Sequence, residues 1–340
     1  MPKLFVTGSA GFIGFHVCQR FLGEGWQVVG IDAETANYDP ALKAARRTRL
    51  EDEDGYTHVT GRIEAPRVLL DIFERERPDV VIHLAAEAGV RPSIEDPRRY
   101  VEANILGTFE LLEALRAYPA THALLASTSS AYGANKAMPY AETMKADWPV
   151  SPYAATKKAT EVLAHSHAHI FDLPITMFRF FTVYGPWGRP DMAYSLFADA
   201  MLAGRPIKVF NHGKMRRDFV FIDDLIEAIR RLVDTPPLRP DNGEVRDGDS
   251  LSPVAPFRIV NIGKSAPDTL MEFIAAIEAA LGIEAEKDFQ PMQQGDVLAT
   301  WADATLLETL TGYKPSTPLS TGIPAFVDWY RSYHGRNSLP

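Results

Sequence analysis

For its first 180 residues the chain alternates short apolar runs with longer amphipathic runs, and this alternation limits the folds open to it. Short apolar runs bounded by turn residues predict strands, and longer runs with helical periodicity predict helices. Strands separated by helices pair in parallel, with helices covering both faces of the sheet. The pattern therefore predicts an α/β fold with a doubly wound parallel sheet, whose strands we place at 4–6, 27–31, 56–60, 80–83, 123–127 and 174–178.

A glycine-rich turn, TGSAGFIG from Thr7 to Gly14, follows the first predicted strand and opens an amphipathic helix. Glycines permit a tight turn and let a pyrophosphate approach the backbone, while the helix N-terminus offers N–H groups and a positive dipole. The spacing here is G-x-x-G-x-x-G, at Gly8, Gly11 and Gly14. Such a turn alone could simply join a strand to a helix, but its place between both elements favours a dinucleotide site on a Rossmann-type fold.

An acidic residue, Asp32, ends the second predicted strand. A carboxylate at this position accepts hydrogen bonds from the adenosine ribose and repels a 2′-phosphate. Ala33 follows it, where an NADP site would favour an arginine. We therefore predict NAD as the cofactor.

A tyrosine and a lysine four residues apart, Tyr153 and Lys157, form the candidate chemical centre. Ser151 and Pro152 predict the start of a helix, as N-cap and first-turn residue. On a helix Tyr153 and Lys157 share one face, and an ammonium beside a phenol lowers the pKa of the phenol. We predict that Tyr153 is a general acid and base. The same spacing also occurs by chance on solvated helices, so the prediction depends on the glycine turn upstream.

Four hydroxyl residues, from Ser127 to Ser130, follow the apolar part of the fifth predicted strand. One of them could hold the reacting oxygen of a sugar in line with Tyr153, and we select Thr128 for this role. The others would satisfy backbone groups at the strand end.

Beyond about residue 185 the chain changes to turns rich in proline and glycine, with short strands at 207–210, 218–221 and 258–262 and helices at 223–232 and 269–281. We predict a smaller C-terminal α/β region that binds substrate over the carboxyl edge of the sheet. The predicted domains are 1–180 for cofactor, with some later segments returning to it, and 181–334 mainly for substrate. Residues 234–256 lack periodicity and predict a flexible loop.

The overall composition is that of an ordinary globular chain, with 46% hydrophobic and 23% charged residues and a net charge of −9. This chain lacks the basic field that nucleic-acid binding needs, and no apolar run reaches the roughly 20 residues of a membrane span. The single cysteine, Cys18, lies in an apolar helical run and predicts a small buried residue. Because the first strand opens at Lys3, we expect no secretory signal and a cytoplasmic protein.

Two further patterns suggest metal ligands but have simpler explanations. His165, His167 and His169 alternate, so only the first and last share a helix face, and we expect that helix to be exposed or dimer-facing. Asp223 and Asp224 are expected to cap a helix and interact with its dipole. We predict no metal site.

Six segments carry a resemblance that covers nearly the whole chain. They are TGSAGFIG from Thr7, HLAA from His83 with AGVR from Ala88, YAATK from Tyr153, RFFTVYGPWGRPDM from Arg179, FNHG from Phe210 and GDV from Gly295. On these segments the chain resembles the extended short-chain dehydrogenase/reductases, and within them the UDP-glucuronate 4-epimerases. The segment from Arg179 to Met192 is the most specific of the six.

The resemblance implies reversible C4 epimerisation of UDP-glucuronate to UDP-galacturonate through a 4-keto intermediate, with hydride passed to NAD and back. Its implied catalytic residues are Tyr153, Lys157 and Thr128. Its implied cofactor site comprises Gly8, Gly11, Phe12, Ile13, Gly14, Asp32, Ile63, Leu84, Ala85, Ala86, Tyr153 and Lys157. Its implied substrate site comprises Arg91, Ser129, Thr182 and Arg189 at the sugar, and Arg217 and Asp296 at the UDP moiety. Of the residues at the sugar, Arg91, Thr182 and Arg189 would surround the carboxylate.

Three positions depart from the pattern of these epimerases. Arg62 stands where an adenine-contacting aspartate is usual, Glu87 replaces a glutamine, and Pro92 replaces a common tyrosine. The first change bears on the adenine contact, and the other two bear on the shape of the sugar pocket.

Other activities stay open beside epimerisation of UDP-glucuronate. A UDP-glucuronate decarboxylase and an epimerase for another UDP-sugar share the same hydride chemistry. A non-catalytic NAD-sensing protein on this fold would be expected to lack Tyr153 or Lys157. The resemblance also implies a homodimer, formed through the helices predicted near 98–117 and 153–170, and a role in polysaccharide biosynthesis.

Overall fold

The structure, a computed structural model, describes residues 1–293 and 297–335. Its strands are β1 (Lys3–Thr7), β2 (Gln27–Asp32), β3 (Tyr56–Thr60), β4 (Val80–His83), β5 (His122–Ala126), β6 (Ile175–Phe180), β7 (Thr182–Tyr184), β8 (Ile207–Phe210), β9 (Arg216–Arg217), β10 (Phe219–Phe221), β11 (Phe257–Ile262), β12 (Asp268–Thr269), β13 (Lys287–Gln290) and β14 (Ala299–Thr300).

Helices connect most of these strands, with a π-helical segment at Val101–Leu106 and short 3-10 turns at Ser129–Tyr132 and Asn211–Gly213. The α-helices are α1 (Phe12–Gly23), α2 (Pro40–Glu51), α3 (Val68–Glu76), α4 (Val90–Glu95), α5 (Pro97–Tyr100), α6 (Gly107–Ala117), α7 (Pro152–Phe171), α8 (Ala193–Leu202), α9 (Ile222–Val233), α10 (Leu270–Leu281), α11 (Thr305–Thr311) and α12 (Leu319–Tyr333).

The main sheet has seven strands, all parallel, in the order β11-β6-β5-β4-β1-β2-β3. Successive residues of a strand point to opposite faces: in β1, Leu4 and Val6 enter one apolar core and Phe5 enters the other. This arrangement confirms the predicted doubly wound parallel sheet. The strand order reverses between β1 and β4, where a doubly wound sheet opens a crevice at its carboxyl edge.

The strand predicted at 258–262 lies in the main sheet rather than beside the other C-terminal strands. As β11 it pairs in parallel with β6, with Phe257 opposite Ile175 and Ile262 opposite Phe180. Its alternating apolar residues predict a strand but cannot name its partner, because pairing is decided by tertiary packing. The remaining C-terminal strands form three small sheets, β7 with β10, β8 with β13, and β9 between β12 and β14. The domain bounds stay a prediction.

The segment predicted to be a flexible loop, 234–256, contacts α7 near its C-terminal end. The His165 Nε2 lies 2.9 Å from the Ser252 Oγ, and the His169 Nδ1 donates to the Val254 carbonyl at 2.7 Å. These two histidines therefore bind a segment of their own chain, a role that their spacing did not predict. The flexibility of 234–256 stays a prediction.

Several smaller predictions can be compared with the described residues. Cys18 is fully buried, as predicted. Asp223 and Asp224 lie in the first turn of α9, where neither caps the helix, and the Asp224 carboxylate instead accepts hydrogen bonds from the turn that carries Thr317.

Among residues 1–293 and 297–335, no three His, Cys, Asp or Glu side chains converge as metal ligands would. Over the same residues, no helix combines the length and apolar character that crossing a bilayer requires.

Candidate active site

The glycine turn after β1 is packed so closely that side chains are excluded from it. Gly8 has a φ of +74°, and a Cβ there would lie 2.8 Å from the Ala85 backbone nitrogen. A Cβ at Gly14 would lie 2.0 Å from the Gly8 carbonyl oxygen. Gly11 precedes α1 and provides no side-chain cap, so the first N–H groups of the helix are available to an anion at the crevice. This cradle fits the pyrophosphate of a dinucleotide.

Thr7 and His83 fix the facing loop, residues 84–86, against the glycine turn. The Thr7 Oγ1 accepts hydrogen bonds from the backbone nitrogens of Leu84 and Ala85, both at 3.1 Å. Its own proton then goes to the His83 Nδ1 at 2.7 Å, which leaves the His83 Nε2 to donate to Thr108 at 3.1 Å. Burial lowers the pKa of His83 to about 3, so the ring is neutral.

Asp32 lies at the end of β2, where the sequence predicted an adenosine contact. Its Oδ2 accepts from the Ala10 backbone nitrogen at 3.1 Å, and its Oδ1 accepts from the Glu34 nitrogen at 2.7 Å. Each carboxylate oxygen has a second lone pair that can accept from a ribose hydroxyl. The carboxylate is thus held in place before any nucleotide binds.

The other predicted cofactor residues differ in how they could contact a nucleotide. Phe12 and Ile63 are buried in the two apolar cores, and Ile13 packs against one of them, so the backbone of α1 rather than the Phe12 side chain faces the crevice. Ala86 follows Ala85 in the loop after β4. Arg62, which replaces the usual aspartate, pairs with Glu64 at 2.5 Å and is half-exposed.

Tyr153 and Thr128 meet at the carboxyl edge of the sheet. α7 begins at Pro152, and the Ser151 Oγ caps it by accepting from the Ala154 nitrogen at 3.1 Å, as predicted. The Tyr153 side chain is buried and forms a hydrogen bond with Thr128. Thr128 is itself fixed, because its Oγ1 accepts from the Ser130 nitrogen at 3.1 Å.

The ionisation of Tyr153 and Lys157 is governed by their burial. Burial raises the pKa of Tyr153, and only the hydrogen bond with Thr128 and the charge of Arg189 lower it. The sequence predicted the opposite direction, with Lys157 lowering this pKa, and that prediction is wrong for this structure. Lys157 is equally buried, and burial lowers its own pKa to about 8. A low-dielectric interior penalises both charged forms, so spacing alone could not reveal the direction.

Glu161 is a functional candidate that the sequence reading missed. Its carboxylate binds the buried Arg179 through two hydrogen bonds of 2.7 and 2.6 Å and accepts a third from Ser127 at 2.6 Å. Its negative charge raises the pKa of Lys157, which partly offsets burial. Glu161 follows Lys157 by four residues on one helix face, and this spacing could have identified it.

Asn104 is a second residue that the sequence reading missed, and it lies in the π-helical segment. Its Oδ1 accepts from the Glu87 nitrogen at 2.8 Å, and its Nδ2 donates to the Glu87 carbonyl at 3.1 Å and to the Thr156 Oγ1 at 3.0 Å. One buried amide therefore joins the loop after β4 to α7, beside Tyr153. No local pattern in the sequence points to it.

Arg189 lies in the connection between β7 and α8 and reaches toward the loop after β4. Its Nε and Nη2 pair with the Asp191 carboxylate at 3.0 and 2.6 Å, and its Nη2 also approaches the Ala88 carbonyl at 3.4 Å. Among the described residues its Nη1 makes no hydrogen bond, so that nitrogen can still meet a carboxylate from outside the chain. The charge of Arg189 lowers the pKa of Tyr153.

Glu87, which replaces the usual glutamine, lies close to this group. Its Oε1 accepts from Arg99 at 2.8 Å and its Oε2 accepts from Asn37 at 2.8 Å. The added negative charge is thus paired within the chain.

The remaining predicted substrate residues lie on four separate elements. Thr182 opens β7, and its nitrogen donates to the Asp218 carbonyl at 3.0 Å. Arg217 lies on β9, the central strand of a small sheet. Arg91 is exposed on α4, with its guanidinium 5.3 Å from the centre of the Phe210 ring, and Ser129 opens a 3-10 turn. Asp296 lies outside the described residues.

Residues 4–245 match the NAD dependent epimerase/dehydratase family. The chain belongs to this family. The match includes the glycine turn, Asp32, Thr128, Tyr153, Lys157 and Arg189. Within the family the chain is 49% identical over 335 residues to a probable UDP-glucuronate 4-epimerase of Rhizobium meliloti (strain 1021), covering 98% of each chain. It is 42% identical to UDP-glucuronate 4-epimerase 4 of Arabidopsis thaliana, covering 97% of this chain and 76% of that protein.

A solved member of the NAD dependent epimerase/dehydratase family has the same fold over nearly its whole length. The UDP-glucuronic acid 4-epimerase of Bacillus cereus, in complex with UDP-glucuronic acid and NAD, superposes with a TM-score of 0.86 at 33% identity. The alignment covers 97% of this chain and 99% of that one. Membership makes this chain an NAD-dependent enzyme, in agreement with the glycine cradle and with Asp32.

Proposed function

We propose that the protein interconverts UDP-glucuronate and UDP-galacturonate by inverting C4 of the sugar. One observation carries the proposal: the Arg189 Nη2 lies 3.4 Å from the Ala88 carbonyl, in the loop after β4 that Asn104 joins to α7. A guanidinium that could bind a carboxylate therefore approaches the same loop that is joined to α7 three residues from Tyr153. A guanidinium recognises a planar carboxylate well. The named activity of the Rhizobium meliloti and Bacillus cereus relatives supports the same substrate.

Gly8, Gly11, Gly14 and Asp32 would hold NAD, which when bound accepts a hydride from C4 and returns it. Tyr153 takes the proton from the C4 hydroxyl oxygen during oxidation and gives it back during reduction. Thr128 would donate its single hydroxyl proton toward the same oxygen and so hold that oxygen in line with Tyr153. Lys157 would help to hold NAD, and the charge of Glu161 favours its ammonium form.

The substrate carboxylate creates a competing reaction that the enzyme must prevent. Oxidation at C4 makes a β-keto acid, which loses CO2 when its carboxylate lies perpendicular to the carbonyl plane. Arg189, assisted by Thr182 and Arg91, would hold the carboxylate away from that orientation until the ketone is reduced. Arg217 and Asp296 would bind the UDP moiety.

The test is to incubate the purified protein with UDP-glucuronate and identify the products by NMR. We expect UDP-galacturonate, and we expect Tyr153→Phe to lower kcat by about 10³-fold while NAD stays bound. Tyr118→Phe is the matched control, because that ring contacts Arg77 instead, and its kcat should be unchanged.

Three results would contradict this proposal. UDP-4-keto-pentose or UDP-xylose as the main product would assign a decarboxylase. Turnover of UDP-glucose in preference to UDP-glucuronate would assign another UDP-sugar epimerase. Bound NAD with no turnover of any UDP-sugar would favour an NAD-sensing protein.

We further propose a homodimer formed through α6 and α7, in a cytoplasmic protein. Exposed apolar side chains support this, with Val162 61% and Ile170 66% exposed on α7, and Val101, Leu106 and Phe109 exposed in and after the π-helical segment. The neighbouring helices α6 and α7 thus share an apolar outer face, which a second copy would cover.

A further inference from the structure

The backbone that carries Arg189 is held by side chains at four consecutive residues, from Pro186 to Arg189. We call residues 185–192 the Arg189 loop. From its own region of the chain, the Tyr194 Oη accepts from the Arg189 nitrogen at 3.0 Å, and the Ser195 Oγ donates to the Arg189 carbonyl at 2.9 Å. Both residues lie in the first turn of α8. These two bonds fix the backbone of Arg189 itself.

The first half of the Arg189 loop is held from the cofactor-binding part of the chain. His16, on α1, lies with its Nε2 2.9 Å from the Pro186 carbonyl. A carbonyl only accepts, so the Nε2 carries the proton. Arg46, on α2, donates from its Nη2 to the Trp187 carbonyl at 2.5 Å and to the Gly188 carbonyl at 3.4 Å.

The other end of the Arg46 guanidinium binds the glycine turn. Its Nη1 donates to the Ala10 carbonyl at 3.0 Å and to the Tyr38 Oη at 2.8 Å. Arg46 is 0% exposed and binds these neutral oxygens. The planar guanidinium of an arginine has several N–H donors in fixed directions, so it can bind all of these oxygens at once. The single ammonium of a lysine could not. Arg46 therefore bridges the cofactor cradle and the Arg189 loop.

The conformation of the loop requires this support. Trp187 has a φ of +60°, in the left-handed region that a bulky side chain rarely adopts. Its ring packs against Phe15 at 5.3 Å and Trp329 at 5.5 Å between ring centres. Residues in such conformations persist only where their surroundings over-determine them, and they cluster at ligand clamps.

We propose that His16 and Arg46 are positioning residues that set the orientation of Arg189 and thereby suppress loss of the substrate carboxylate. The proposal rests on the proposed function, because it concerns the 4-keto intermediate of that reaction. If the loop relaxes, the carboxylate of that intermediate can rotate. The C5–C6 bond then breaks, its electron pair forms the enolate of the C4 ketone, CO2 leaves, and C5 takes a proton from water. The hydride taken from C4 stays on NAD, so no further reactant is needed.

The experiment compares His16→Leu, His16→Gln and Arg46→Lys with the wild-type enzyme. Glutamine restores a donor to the Pro186 carbonyl, whereas leucine removes it, and a lysine cannot reach both the Ala10 and the Trp187 carbonyls. The matched control is Arg20→Ala, one turn beyond His16 on α1, where the arginine pairs with surface glutamates. The products from UDP-glucuronate are quantified by NMR, and the Kd values of UDP-glucuronate, UDP-glucose and UDP are measured by calorimetry.

We expect His16→Leu and Arg46→Lys to raise the ratio of decarboxylated to epimerised product at least tenfold. The Kd of UDP-glucuronate should rise about tenfold, while the Kd values of UDP and UDP-glucose and the bound NAD stay within twofold. His16→Gln should recover most of the wild-type ratio, and Arg20→Ala should match it. If Arg46→Lys does not fold, the leucine and glutamine variants of His16 make the same comparison.

Two results separate failure of this inference from failure of the proposed function. A wild-type protein that epimerises UDP-glucuronate, with His16→Leu slower but unchanged in product ratio and in substrate Kd, would overturn the positioning role alone. A wild-type protein that forms no UDP-galacturonate would overturn the proposed function itself.

Discussion

Glu142 is a buried carboxyl whose ionisation opposes folding at neutral pH. It accepts a hydrogen bond from the Asn261 nitrogen at 2.7 Å, and burial still raises its pKa to about 7. A raised pKa favours the protonated native state, so this contribution to stability is full below the unfolded-state pKa, near 4.5, and is lost as the pH rises through 7.

We therefore predict that Glu142→Gln, which stays neutral, gains stability relative to the wild type between about pH 4.5 and 7. One pKa unit corresponds to about 1.4 kcal/mol, so the gain is at most about 3 kcal/mol. Urea unfolding at several pH values measures it. Glu53→Gln, at an exposed carboxyl, is the control. Its free energy of unfolding should differ little from that of the wild type at every pH. A Glu142→Gln effect that does not vary with pH would contradict the prediction.

At the scale of single residues, the sequence predicted best where a residue type has one local role. The N-cap Ser151 and the position of Asp32 at a strand end were predicted correctly, because each depends on a few neighbouring residues. The ionisation of Tyr153 was predicted in the wrong direction, because it depends on how many apolar atoms surround the phenol. The sequence did not indicate a role for Arg46, because its partners are distant in the chain.

The segment predicted as one helix near 98–117 is three elements, and the middle one carries Asn104. α5 and α6 flank the π-helical segment, whose wider turn lets Asn104 reach both Glu87 and Thr156. Apolar periodicity predicts a helix but not one extra residue in a turn, so the sequence could not place Asn104. The predicted bounds of β3, β4 and β8 agree with the structure, because each strand is short and bounded by turn residues.

Asn104→Ala tests the role of this element. It leaves the Glu87 nitrogen and carbonyl and the Thr156 hydroxyl without their buried partner, so we expect a loss of about 2–3 kcal/mol in the free energy of unfolding. We also expect a lower kcat, because the loop after β4 and α7 are no longer joined beside Tyr153. Urea unfolding and steady-state kinetics measure the two effects. The control is Asn135→Ala, whose amide donates to the Lys145 carbonyl at an exposed site. Wild-type stability in Asn104→Ala would contradict the prediction.

For the whole molecule, the parallel sheet and the crevice were predictable from the sequence. The contacts that join the N-terminal cofactor region to the C-terminal region were not. The alternation of strands and helices predicts a parallel sheet, and the glycine turn predicts which end of that sheet binds a nucleotide. The return of β11 to the main sheet and the bonds from His16 and Arg46 to the Arg189 loop are contacts between distant segments. They join the Arg189 loop to the cofactor cradle, and no single motif encodes that connection.

The proposed dimer is tested at the scale of the whole molecule. Val162 and Ile170, the most exposed apolar residues of α7, would lie against the second copy, so Val162→Glu with Ile170→Glu would place charges in an apolar interface and separate the subunits. We expect the wild type to sediment at twice the chain mass of 37.7 kDa and the double variant to sediment as a monomer. Leu238→Glu, at an equally exposed leucine outside this face, should stay dimeric. A monomeric wild type, or a dimeric double variant, would show that these helices do not form the interface.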